Sequence, residues 1–131
     1  MDMESRKKVK KHGIKRFVNS FKYSIEGLIY AFKSEQSMTI HVIACITVIA
    51  LGFLLKISYF EWLICFILFG LVIATELINS SIEALVDLVS PQKHELAKIA
   101  KDTASAAVFV FATVALVSGI IIFLPKILEF L

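Results

Sequence analysis

Residues 62–89 read WLICFILFGLVIATELINSSIEALVDLV, and the fold of the chain turns on this stretch. From Trp62 to Thr75 it carries no charge, as a helix crossing hydrocarbon requires. Glu76, Asn79, Glu83 and Asp87 then enter at steps of three and four while the apolar pattern continues around them. With about 100° per residue and Glu76 as zero, Asn79, Glu83 and Asp87 lie at roughly −60°, −20° and +20°. Four polar groups therefore share one narrow face, and Leu77, Ile78, Ile82, Ala84 and Leu85 cover the others. A carboxylate near the bilayer centre costs about 2.5–3.5 kcal/mol on insertion scales. Such a face has to meet protein, metal or water. Hydrogen bonding between helices would account for one polar residue; three carboxylates and an amide in line point to a site.

Outward from this helix, residues 38–55, MTIHVIACITVIALGFLL, give a second span, and residues 103–124 a third that Pro125 closes. Lys56 to Glu61 is a short polar connection, and Gln92 to Lys101 reads as a basic loop after Ser90-Pro91. In residues 16–34 Phe17, Phe21, Ile25, Leu28 and Phe32 recur at helical steps, while Lys22, Glu26 and Lys33 point elsewhere. That pattern predicts an amphipathic helix lying in the membrane interface. Residues 1–15 are a basic tail. The expected fold class is an all-α integral membrane protein, one domain with three transmembrane helices and an N-terminal surface helix.

Composition agrees. The chain of 131 residues is 58% hydrophobic with a mean hydropathy of +0.82, against roughly 45–50% apolar in soluble domains. Seven of the fourteen Lys and Arg residues precede Phe17. They come too far ahead of the first long apolar run for a cleavable leader. Beside three spans they suit anionic lipid headgroups better than nucleic acid. The basic N-terminal segment and the loop with Lys93, Lys98 and Lys101 define one side, and only Lys56 and Lys126 flank the other. The positive-inside rule then predicts a bacterial inner-membrane protein with its N-terminus cytoplasmic and its C-terminus outside. Tyr59 and Trp62 fall in the outer aromatic belt. Cys45 and Cys65 lack metal-ligand spacing and read as membrane-core residues. No GxGxxG or GxxxxGK[ST] motif occurs, which excludes a Rossmann or P-loop nucleotide site.

Partners for the acidic face are at hand. Glu35 precedes the first span, Lys101-Asp102 opens the third, and both belong to the inner interface with Glu83 and Asp87. Carboxylates at that level suit Mg²⁺, a deeper one suits a general base, and a lysine can reach phosphate. His94-Glu95 reads as a solvated pair, and His41 as a neutral histidine facing the bundle. Three short helices hardly enclose four inward polar groups, so a homo-oligomer is expected. A proton- or cation-conducting oligomer is a competing reading, but Trp62 to Ala74 offers no polar residue except Cys65 to carry a path outward. A non-catalytic scaffold would not need Glu35 and Lys101 beside the acids.

The run Glu76-Leu-Ile-Asn-Ser-Ser-Ile-Glu-Ala-Leu-Val-Asp87, then His94-Glu-Leu-Ala-Lys-Ile-Ala-Lys-Asp102 and Ser105-Ala-Ala-Val, closely resembles the prokaryotic diacylglycerol kinase family. Arg16, Tyr23, Glu26-Gly27 and Glu35 fall at matching intervals. Tyr59-Phe-Glu-Trp62 and Gly119 to Lys126 resemble its Gram-positive branch, the undecaprenol kinases. The resemblance implies a homotrimer with active sites between protomers, where ATP and Mg²⁺ serve the phosphorylation of a lipid hydroxyl. By it Glu76 is the general base, Glu35 and Glu83 hold the metal, and Asn79 and Asp87 orient the groups around them. Arg16, Tyr23, Gln92, Lys93, His94, Lys101 and Asp102 would surround the nucleotide. Ser105 and Arg16 would adjoin the lipid. Undecaprenol is the expected acceptor on branch resemblance, with diacylglycerol the alternative. Asn-Ser-Ser departs from the Asn-Thr-Ala or Asn-Ser-Ala usual in the family, but Ser81 points away from Glu76.

Overall fold

In the computed structural model, which describes residues 3–4 and 13–131, every regular element among the described residues is an α-helix. Four long ones follow in order: α1, Gly13–Ser34; α2, Gln36–Leu54; α3, Tyr59–Val89; and α4, Glu95–Phe130. Most of the basic tail lies outside the described residues. Its last three residues are helical, so α1 begins at Gly13, about a turn before the periodicity of its apolar residues suggests. The chain divides into two units, the first ending at Ser34 and the second running from Glu35 to Leu131.

In the first unit, α1 holds Phe17 edge-on to Phe21 with ring centroids 5.2 Å apart. The hydroxyls of Ser20 and Ser24 donate back to the carbonyls of Arg16 and Ser20, each at 2.9 Å. Ala31 is the buried position of this helix.

The second unit contains three helices long and apolar enough to cross a membrane. Large side chains such as Ile43, Ile46, Phe53, Ile67, Phe109 and Leu116 stand exposed on them. Backbone polar groups satisfied within the helix and apolar side chains outside are what hydrocarbon demands. α3 is the middle element. It packs most extensively on α4 and less on α2, and no comparable packing joins α2 directly to α4. A cavity of about 690 Å³ lies over α3, lined by Ala44 and Val48 of α2, Cys65 and Val72 of α3, and Ala115 and Phe123 of α4.

The connection from α2 to α3 is short and well specified. Lys56 adopts a left-handed conformation with φ 51°, and the Ile57 amide returns to the Gly52 carbonyl at 3.1 Å. Ser58 caps α3 through a reciprocal pair: the Ser58 amide donates to Glu61 Oε2 at 2.7 Å, and the Glu61 amide to Ser58 Oγ at 3.3 Å. A cap of this type contributes about 1 kcal/mol. Trp62 then lies on the backbone of α2, where a β-carbon on Gly52 would come within 2.6 Å of its ring. The ring stacks on Phe66 at 5.7 Å and tilts against Phe53 at 5.0 Å. Ile57, Cys65, Ile122 and Phe123 form the buried cluster beside it.

α4 differs from expectation at both ends. It begins at Glu95, with His94 as its cap, so the connection after α3 is shorter than the loop expected through Lys101. Pro125 does not close the helix either: α4 continues through it to Phe130. Proline removes one backbone donor, and near a helix end few turns depend on that bond. Lys126, expected in a loose tail, is helical and pairs with Glu61 at 3.3 Å, tying the end of α4 to the start of α3.

Candidate functional site

Glu76 is 2% exposed, one of the two most deeply buried large side chains described. Both of its oxygens face the first turns of α2. Ser37 Oγ donates to Oε1, and His41 Nε2 stands 3.6 Å from Oε2. Ser37 and His41 are four residues apart, so a single face of α2 supplies both. One turn along α3, Ser80 is buried and its hydroxyl donates to the Glu76 carbonyl at 3.0 Å. His41 thus faces the bundle as its position predicts.

Asn79 is buried as well. Its amide Nδ2 donates to Glu83 Oε1 at 3.4 Å, and its Oδ1 has no partner. Glu35 takes the N-cap position of α2, yet its carboxylate makes no capping hydrogen bond. Burial, then the charges of Glu83 and Glu76, push its carboxyl above the usual carboxylate value. Three carboxylates thus lie within electrostatic reach of one another beside an orphaned carbonyl oxygen. These are hard oxygen donors whose repulsion a cation would relieve. Among the described residues no three His, Cys, Asp or Glu side chains converge closely enough to enclose a metal by themselves. An ion there would need one or two carboxylates and oxygens from elsewhere, which is the usual demand of Mg²⁺.

The polar face of α3 does not stay inward to its end. Glu83 is half-buried and Asp87 is exposed. Asp87 thus stands in solvent one turn beyond Glu83, off the inward line that the helical spacing predicts. Its carboxylate instead accepts from Lys101 Nζ at 2.5 Å. Lys101 thereby joins the acidic end of α3, while Asp102 pairs with Lys98 at 2.5 Å along the surface of α4. Gln92 and Lys93 are exposed in the connection, and the Gln92 carbonyl accepts from Ser90 Oγ at 3.1 Å. His94 closes the start of α4, its Nδ1 accepting from the Leu96 amide at 3.1 Å. Ser105 is exposed on the next turn but two of α4. Arg16 is exposed and Tyr23 half-buried on α1, within the other unit.

Sequence reasoning missed Ser37 and Ser80. A serine in the first turn of a helix reads as capping chemistry, and Ser80 sits among small residues that read as packing. The available signal for Ser37 was its i, i+4 relation to His41, which puts a hydroxyl and an imidazole on one face at the start of a span.

The chain is similar to known proteins over most of its length. The profile of the prokaryotic diacylglycerol kinase family matches residues 22–123. The undecaprenol kinase of Bacillus subtilis (strain 168) is 41% identical over 113 residues, covering 86% of this chain and 92% of that protein. The diacylglycerol kinase of Pseudomonas aeruginosa is 41% identical over 102 residues, covering 78% and 83%. That of Escherichia coli (strain K12) is 30% identical over 110 residues, covering 84% and 90%. The chain belongs to the prokaryotic diacylglycerol kinase family. It is a multi-pass membrane enzyme, a lipid kinase with ATP as co-substrate.

Proposed function

We propose that this kinase transfers the γ-phosphoryl group of ATP to the hydroxyl of undecaprenol, with Glu76 as general base, giving undecaprenyl phosphate. The observation that carries the base assignment is the burial of Glu76 at 2% exposure with both oxygens facing polar partners. A carboxylate placed so deep in an apolar bundle is justified by chemistry more readily than by packing. Glu76 takes the hydroxyl proton as the lipid oxygen bonds to the γ-phosphorus and the bond from that phosphorus to ADP breaks. Glu35 and Glu83 would hold Mg²⁺, with Asn79 orienting Glu83 through its amide; when bound, the ion neutralises charge on the phosphates. Lys101, released from Asp87, would reach the phosphates, and Gln92, Lys93, His94 and Asp102 belong with the nucleotide. Arg16 and Tyr23 are assigned there, and Arg16 and Ser105 to the lipid, from the family pattern.

Undecaprenol is preferred because the Bacillus subtilis relative bears that activity in its name and aligns over more of its length than the Pseudomonas aeruginosa diacylglycerol kinase does. The working form is a homotrimer with sites shared between protomers, a reading supported by the incomplete cover that one chain gives the acidic face, where Glu83 is half-buried and Asp87 exposed. The basic segments support a reading with the N-terminus and the α3–α4 connection on the cytoplasmic side of the bacterial inner membrane. Purified protein in detergent with Mg²⁺ and ATP, given undecaprenol and diacylglycerol side by side, tests the acceptor. A kcat/KM at least about tenfold higher for undecaprenol is expected. Equal or inverted preference would assign diacylglycerol instead.

A further inference from the structure

We propose that Ser37 and His41 form a two-sided positioning clamp on the Glu76 carboxylate. The inference rests on reading Glu76 as the base and adds two residues to that machinery. A glutamate has three rotatable bonds, and a base displaced by about 1 Å can lose about 10²-fold in rate. Something must fix this one. The narrow face of α3 cannot do so alone, because Ser80 hydrogen-bonds the Glu76 backbone carbonyl and leaves its side chain untouched. Ser37 Oγ anchors Oε1 from across the helix interface. His41 Nε2, at 3.6 Å from Oε2, is too distant for a hydrogen bond and close enough to confine that oxygen.

The two contacts are unequal, and the inequality has a consequence. Oε1 is engaged by a donor and Oε2 keeps its lone pairs, so Oε2 is the oxygen that accepts the lipid proton. His41 also lines the apolar cavity between α2, α3 and α4, which puts its ring between that cavity and the carboxylate. Because both residues belong to one helical face, the clamp moves as a unit with the first two turns of α2.

The test separates kcat from KM in the purified full-length enzyme with ATP, Mg²⁺ and undecaprenol. Ser37→Ala and His41→Ala should each lower kcat about tenfold or more while KM for ATP stays within about twofold. Ser37→Thr, which keeps the hydroxyl, and His41→Leu, which keeps bulk beside Oε2, should recover most of the loss. Wild-type kcat in either truncated variant overturns the clamp. So does a loss matched by a rise in KM for ATP or by a smaller oligomer on size exclusion, since either marks a role in holding the helices together. Glu76→Gln in the same preparation keeps the two ideas apart. Full activity there defeats the base reading, whereas an inactive Glu76→Gln beside unimpaired Ser37 and His41 variants defeats the clamp alone.

Discussion

At Glu35, burial and the neighbouring charges of Glu83 and Glu76 all act in one direction, raising the carboxyl above its ordinary value. A carboxyl raised in this way favours the folded chain while protonated. Its contribution is complete below the ordinary carboxylate value and is lost as pH rises through the raised one. Without metal, ionised Glu35 therefore weakens the structure at neutral pH, and a divalent cation should reverse the effect. Glu35→Gln is expected to raise the thermal midpoint in metal-free detergent at neutral pH, with the gain shrinking as pH falls. Mg²⁺ should raise the midpoint of the wild type and not of the variant. Melting curves from about pH 5 to about pH 8, with and without Mg²⁺, check both statements. The acids themselves were legible in the sequence, because helical spacing alone puts Glu76, Asn79 and Glu83 on one face. The same spacing places Asp87 with them, yet it is exposed and paired with Lys101. Periodicity gives an angle around a helix and says nothing of how far along it that face stays covered.

Among the elements, the α2–α3 corner has the least room. Gly52 lets the Trp62 ring rest on the α2 backbone, and that ring is held from behind by Phe66 and Phe53. Gly52→Ala should destabilise the protein by about 1–3 kcal/mol, as overpacking does. Thermal unfolding in detergent would show a lower midpoint, while KM for ATP stays unchanged because the corner lies at the far end of α3 from Glu83. The three spans were legible from length and apolarity, and α3 nearly to its ends, since Ser58 and Ser90 bracket it. The ends of α4 were not. Pro125 reads as a stop, yet the helix runs on to Phe130, where Lys126 meets Glu61. Lys98 and Lys101 read as loop because they are basic, although they occupy the first two turns of a helix capped by His94. Charge reports proximity to water, and the ends of a long membrane helix are in water too.

For the whole molecule, the sidedness proposed from the distribution of Lys and Arg is open to a direct check. In a variant with Cys45 and Cys65 replaced by alanine, a cysteine at Gln92 should react with a membrane-impermeant maleimide only after cells are permeabilised. A cysteine at Tyr59 should react in intact cells. The opposite pattern would invert the topology and move the acidic end of α3 away from cytoplasmic ATP. Three apolar helices, a buried Glu76 and the neighbouring carboxylates of Glu35 and Glu83 are the features on which the proposed mechanism rests. The central claim, that Glu76 removes the proton from the acceptor, is tested most directly by ATP-dependent phosphorylation of undecaprenol by Glu76→Gln. The account predicts a fall in kcat of at least about 10²-fold with the oligomer intact on size exclusion. Turnover at the wild-type rate would contradict it.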